Sequence, residues 1–328
     1  MRSDNCSLIT VILSRTLINT TAWDACVATS AQRIVFGFSW YLDAVLPGPD
    51  WTWMGVVLTD EAGEYAAVLP VPLRRKWGVW RIHQPFFCQM LGVFSRDPIL
   101  DTMPFYQLVY ERFRYGAIWQ VGQYPPVDVP FGLVRQLSTQ VLDLSDAYPA
   151  IYARYTSDRR RNLRRSQTTN WSVREATDIE PLIALFRKNH ADTIDGGVGN
   201  WAYSIFRNLY TELQKRNMTT LLYAERSGKT EAGTLFVQDN NRIIYLFNAA
   251  TETGRHRNAR TLLIDRIIQK KAGHYNADGP LLFDFESPEK PSIRAFYASF
   301  GAVAQPFWSV RWSRLSGPER LLKWIITR

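Results

Sequence analysis

LLFDFESPEKPSIRAFYASFGAVAQPFWSVRW, residues 281–312, is the stretch whose reading decides the fold. Its first six residues form a strand pattern. Leucines lead in, and then phenylalanines alternate with Asp284 and Glu286, which puts both acids on one face and both rings on the other. Residues 291–300 read as a short helix with Pro291 in its first turn, where a missing N–H is no loss. Residues 304–312 alternate again as a strand. Two acids at the end of a core strand have three possible uses: a solvated edge, ion pairing with nearby arginines or Lys290, or proton handling at the carboxyl end of the strand.

Upstream of this stretch the same alternation of element types continues. Asp178 can cap a helix running through Leu182, Leu185 and Phe186. Asp195-Gly196-Gly197 and Gly199 break the chain, and Trp201, Ile205, Leu209 and Leu213 then recur at helical spacing. Residues 219–225, 232–238 and 242–248 are strands joined by Ser227-Gly228-Lys229 and Asp239-Asn240-Asn241, a three-strand meander. A helix follows over 259–272, striped by Leu262, Leu263, Ile267 and Ile268. In the first half, a helix ends over 38–45 at Pro47-Gly48-Pro49. Strands at 53–58 and 65–73 flank a turn at 60–63, and Pro70 and Pro72 mark part of the second as an edge or bulge. VVLTDEAGEYAAVLP (56–70) lays over LLYAERSGKTEAGTL (221–235), with Gly63 on Gly228. The echo points to two related halves. The expected division is a tail or strand over 1–21, domains over 22–153 and 154–316, and a helix over 317–328.

Composition narrows the class. The chain has 328 residues, 46% hydrophobic and 21% charged, which is globular. Twelve tryptophans call for aromatic cores or grooves. A net charge of +9 favours an anionic partner. The three cysteines and four histidines lack ligand spacing, so no metal site is expected and a reducing, cytoplasmic setting is. No apolar run approaches the roughly 18 residues of a membrane span. LITVIL, 8–13, is too short for a signal sequence, and the C-terminal RLLKWIITR reads as a docking helix end rather than a membrane anchor. Neither a Gly-x-Ser-x-Gly elbow nor a P-loop occurs.

The second half resembles the Gcn5-related N-acetyltransferases (GNAT) in its order of elements and in AFYASFGA, where Tyr297 precedes Gly301 by four residues. The two-part layout, with YTSDRRRNLRRSQ (155–167) opening the second part, resembles the FemAB-like branch. The resemblance implies an α/β fold of tandem acyltransferase-like domains, mixed sheets flanked by helices. It also implies direct transfer of an acyl group from an acyl-CoA or acetyl-CoA donor to an amine, without metal. Tyr297 would be the general acid, and Asp284 and Glu286 would remove the amine's proton. The donor's phosphates would lie on TGRHRNARTLL (253–263), at Gly254, Arg255, Arg257, Asn258, Ala259 and Arg260. That turn is poor in glycine, so its arginines would grip phosphate by side chain. Asn248, Arg161, Arg165 and Trp201 would meet substrate. A FemAB-like, aminoacyl-tRNA-dependent transfer to a cell-wall precursor is the alternative within enzymes. A non-catalytic relative holding an anionic ligand is the alternative outside them. Each residue also has a plainer use: a solvated helix for the arginines, core packing for Tyr297 and Trp201. No helix-turn-helix or zinc-finger spacing supports sequence-specific DNA reading.

Overall fold

The structure, a computed structural model, describes residues 10–76, 78–191, 197–276, 279–286 and 290–320. Asp195, Gly196, Ser287 and residues 321–328 of the expected terminal helix fall outside that set. The chain divides into two compact units, Met1–Leu137 with Pro306–Arg328, and Ser138–Gln305.

The first unit begins with β1 (Thr10–Ser14), α1 (Thr20–Thr29) and α2 (Ser39–Val45). Asn19 caps α1 by accepting from the N–H groups of Thr21 and Ala22. Strands β2 (Trp51–Thr59), β3 (Tyr65–Lys76), β4 (Val79–His83) and the short β5 (Phe94–Ser95) follow, then α3 (Met103–Arg112) and β6 (Tyr115–Val121). β1, β2, β3 and β4 pair antiparallel in that order, and β6 adds to β4 in parallel. Among the described tryptophans, Trp23, Trp53, Trp119 and Trp312 are buried, all in this unit. Trp23 meets Trp53 edge-on at 4.9 Å, and Trp119 packs beside Tyr106 and Trp312.

Pro70 and Pro72 sit in the middle of β3, a twelve-residue strand, rather than ending it. On one side β3 is paired with β2 throughout; on the other, β5 takes Ala67 and Val68 and β4 takes residues from Leu73 on. Among the described residues, 69–72 therefore pair with a strand on one side only. The prolines occupy this local edge, where no N–H is needed.

β7 (Leu133–Asp143) leads into the second unit, followed by α4 (Tyr148–Ala153), α5 (Ser157–Gln167), β8 (Ser172–Ala176), α6 (Glu180–Asn189) and α7 (Asn200–Lys215). The meander is β9 (Thr219–Arg226), β10 (Lys229–Asp239) and β11 (Arg242–Ala250). Then come α8 (Glu252–His256), α9 (Ala259–Lys271), the two-residue β12 (Tyr275–Asn276) and β13 (Gly279–Pro280), β14 (Leu282–Asp284), α10 (Pro291–Ala298) and β15 (Val303–Ser313), whose last residues pair with β6. The sheet of this unit runs β7-β14-β11-β10-β9-β8. β11 and β14 are parallel; the other pairs in it are antiparallel. The β2–β3 and β9–β10 hairpins turn at Gly63 and Gly228, both with positive φ, which is the echo seen in the sequence. α3, α4, α6 and α10 each carry proline in the first turn, where no helical acceptor exists for its nitrogen.

α9 buries Leu263, Ile264, Ile267 and Ile268 against a core that includes Phe236, Phe283 and Phe300. Asp265 lies on the same buried face and accepts from the hydroxyls of Tyr148 (2.9 Å) and Tyr155 (3.0 Å). Burial pushes its carboxyl up, and the two hydroxyls pull it back. Gly301 follows α10 with φ 82°, and an added Cβ would lie 2.7 Å from the Cβ of Arg154. Gly301→Ala is expected to lower stability by roughly 2–4 kcal/mol, from left-handed strain plus overlap, read as a fall in the urea midpoint.

Candidate active site

β11 and β14 pair from Arg242↔Leu282 to Ile244↔Asp284, and there the ladder stops. β11 runs on to Ala250 paired with β10 alone. A register shift between Leu235 and Phe236 of β10 falls at the same level. The two parallel strands thus part at their carboxyl ends, where open α/β sheets commonly bind ligands. Tyr245 and Asn248 of β11, Arg260 of α9, Glu286 after β14 and Tyr297 of α10 gather around the parting.

Asp284 has no exposed surface. It accepts from Thr139 Oγ1 at 2.6 Å, from Arg242 Nη1 at 2.7 Å and from the N–H of Glu286 at 3.0 Å. Its carboxylate is therefore an anchor joining β7, β11 and the chain beyond β14. The expected strand over 281–286 with both acids on one face is corrected here. β14 ends at Asp284, and Glu286 adopts a left-handed φ of 46°. The hydrogen bond that Glu286 donates to Asp284 is what holds this turn.

Glu286 is half-buried, and burial together with the neighbouring Asp284 holds its carboxyl well above the usual carboxylate range. Tyr297 is buried and stacks on Phe285 at 4.7 Å. Burial pushes its hydroxyl up to about 12; Arg260 pulls it down and Glu286 pushes it up. Tyr245 lies 5.9 Å from it, ring to ring, and its buried hydroxyl has no hydrogen-bond partner among the described residues. Such an oxygen leaves a place for a ligand atom or a water.

Arg260 links the cluster. Its Nη1 donates to Asn248 Oδ1 at 2.9 Å, and its guanidinium lies over Phe296 at 5.5 Å. Its charge and that of Arg255 add to burial in lowering His190, whose Nε2 accepts from the N–H of Ala250 at 3.2 Å. No spacing in the sequence singles out His190. Arg159 belongs to the basic run of α5 but is buried, held between Phe296 (4.1 Å) and Phe300 (4.6 Å). It donates to Ser299 and Thr261. Its place in the sequence carried one signal: Arg159, Leu163 and Ser166 share the buried face of α5 at helical spacing.

The expected phosphate turn has two parts. In α8, Gly254 is buried, and a Cβ there would come within 2.2 Å of the Glu231 carbonyl oxygen. Glycine at this point lets α8 lie against β10. Thr251 caps α8 by accepting from Gly254 N–H, and its hydroxyl also bonds Glu231. At the start of α9, Asn258 takes the left-handed conformation, φ 57°, which asparagine tolerates nearly as glycine does. No side chain caps α9. Its first helical acceptor serves Leu262, so the N–H groups of Ala259, Arg260 and Thr261 have no acceptor in the helix. This end of α9, with Arg260 half-buried and Arg255 and Arg257 exposed beside it, has the donor geometry and charge an anion needs. Arg161 and Arg165 lie on the exposed face of α5, Arg161 paired with Asp158 at 2.6 Å. Trp201, at the start of α7, is 46% exposed.

Residues 153–285, from the end of α4 through β14 and ending just before Glu286 and α10, match the family model for the acetyltransferase (GNAT) domain. They form a GNAT domain. The whole chain has the fold of tandem GNAT proteins and of FemX. The crystal structure of FemX superposes with a TM-score of 0.63 at 12% identity, over 98% of this chain and 100% of that one. A tandem GNAT protein from the clavulanic acid biosynthesis pathway gives 0.52 at 13% identity, over 93% and 98%. L-PGS from Bacillus licheniformis gives 0.51 at 12%, over 94% and 95%. At such identities the likeness is one of fold. No curated protein matches in sequence. Among the described residues of this GNAT-fold chain, no helix is long and apolar enough to cross a membrane, and no group of three metal-ligating side chains converges.

Asp284→Ala is expected to cost about 3–5 kcal/mol, because it leaves the largely buried Arg242 without its carboxylate. Denaturant unfolding of the variant checks this directly.

Proposed function

We propose that the protein is an N-acyltransferase that moves an acyl group from a phosphate-bearing donor of the acyl-CoA type directly to an amine. The observation that carries the reading is the half-buried carboxyl of Glu286, near Tyr297 where β11 and β14 part. An amine arrives as an ammonium and must lose a proton before it can attack. Glu286, whose carboxyl burial and Asp284 hold well above the usual carboxylate range, takes that proton directly or through water. The free amine adds to the acyl carbonyl, and collapse of the tetrahedral species expels the thiolate or alkoxide. Tyr297 returns a proton to that leaving group. Asp284 acts through Glu286 by fixing its turn. Arg260 orients Asn248 toward the substrate, and Ala259, Arg260 and Thr261 N–H groups with Arg255 and Arg257 hold the donor's phosphates.

A specific observation favours a second donor, aminoacyl-tRNA. Arg161, Arg164 and Arg165 form an exposed basic face on α5, suited to a polyanion, and the chain matches FemX along its whole length. A screen of acetyl-CoA, longer acyl-CoA species and aminoacyl-tRNA by thermal denaturation separates the donors. The true donor at 100 times its dissociation constant should stabilise the fold by about 2.7 kcal/mol. No shift from any of them would sink the transferase reading and leave a non-catalytic anion binder.

With the donor known, Glu286→Gln should lower kcat by roughly 10²–10⁴-fold while leaving donor binding in place. The sign of the pH dependence follows from the raised carboxyl. kcat/KM should fall as pH drops through a pKa well above that of an ordinary glutamate, and Glu286→Gln should lose this acidic limb. An unchanged limb in the variant would assign the base elsewhere.

A further inference from the structure

β3 and β4 form a hairpin on the first unit that turns at Gly78, φ 76°. Its register sets Arg74 opposite Arg81, Arg75 opposite Trp80 and Lys76 opposite Val79. Val79 is 67% exposed and Trp80 38%, and neither belongs to a core cluster. Folding alone asks for polar turn residues at such a tip.

Directly behind the tip lies a cationic collar. Arg74 and Arg81 face each other across the strands, an arrangement that like charges disfavour. Arg81 Nε is buried with no hydrogen-bond partner among the described residues. After burial, the charges that lower His83 are Arg74, Arg81 and Lys76, all cations. Aromatic rings brace the guanidinium groups: Trp51 lies 4.9 Å from Arg74, Trp80 5.7 Å from Arg75 and Tyr115 6.0 Å from Arg81. Asp50 pairs with Arg75 at an exposed 3.2 Å.

We propose that this hairpin docks the protein on an anionic bilayer surface, with Val79 and Trp80 entering the acyl boundary and Arg74 and Arg81 meeting lipid phosphates. The spacing fits. Two residues of strand span about 7 Å, so guanidinium groups two residues behind Val79 reach phosphate level when the tip is buried to the depth of an interfacial side chain. Tryptophan and arginine are the side chains that such an interface favours. The inference does not depend on the acyl-transfer reading.

Co-sedimentation of the full chain with phosphatidylcholine vesicles, with and without one-third phosphatidylglycerol, tests it. Binding is expected only with the anionic lipid and should weaken with salt. Arg74→Gln with Arg81→Gln should lower partitioning about fivefold per charge removed. Val79→Ser with Trp80→Ser should lower it at least about tenfold, as loss of inserted apolar surface requires, with the thermal midpoint unchanged because both side chains are exposed. Parental binding by both double variants overturns the proposal. Equal binding to neutral vesicles overturns it too. Full displacement by soluble glycerol phosphate at the same phosphate concentration would assign the basic face to a free phosphate instead.

Discussion

A carboxylate with no surface has to be answered by donors, and Asp284 is answered from three directions: a hydroxyl on β7, a guanidinium on β11 and the main chain two residues on. Each bond fixes something beyond itself. Thr139 sets where β7 lies along β14. Arg242, at the first pair of the β11–β14 ladder, ties the start of β11 to the residue at which β14 ends. The Glu286 N–H forces the left-handed turn that ends β14. A buried ion pair is weak evidence for stability, since desolvation offsets much of its attraction. Its clearer effect here is on shape: it marks where the strands separate and what stands at the separation.

Beyond that point the site is organised by one cation. Arg260 is held by Asn248 and lies over Phe296, and its charge is felt by Tyr245, Tyr297 and His190. It opposes the effect of Glu286 on Tyr297, one charge pulling the hydroxyl down and the other pushing it up. Arg159 supports this arrangement from behind. Burial lowers it to about 10, yet two rings and two hydroxyls hold it in place. The second unit thus uses one arginine to brace α10 and another to orient polar groups toward the opening.

Much of the fold was legible because its periodicities are strong. The meander, the helix over α9, the short helix after Pro291 and the paired hairpins around Gly63 and Gly228 all follow from alternation, turn residues and proline position. β7 was not legible. Its inward Thr139 is polar because it serves Asp284, a partner 145 residues away in sequence. Around the parting of β11 and β14 lie Asn248, Arg260, Glu286 and Tyr297, whereas Arg161, Arg165 and Trp201 lie on exposed faces. Arg159 and His190 were hidden for a related reason. A charged or polar side chain buried by tertiary packing looks, in sequence, like any surface residue. Alternation through 281–286 failed at Glu286, because strand periodicity cannot register a hydrogen bond that turns the chain.

The prolines of β3 have a consequence for the life of the chain before it is folded. Between the reaches of β5 and β4 the strand has a short margin with no ladder partner among the described residues, buried once folded and flanked by some of the most apolar sequence in the first unit. In a chain not yet folded, an unpaired margin of this kind is where a second chain could add itself as a strand. With Pro70 and Pro72 there, the margin lacks the donors that such an addition needs, so the segment can be strongly apolar and still a poor template for aggregation.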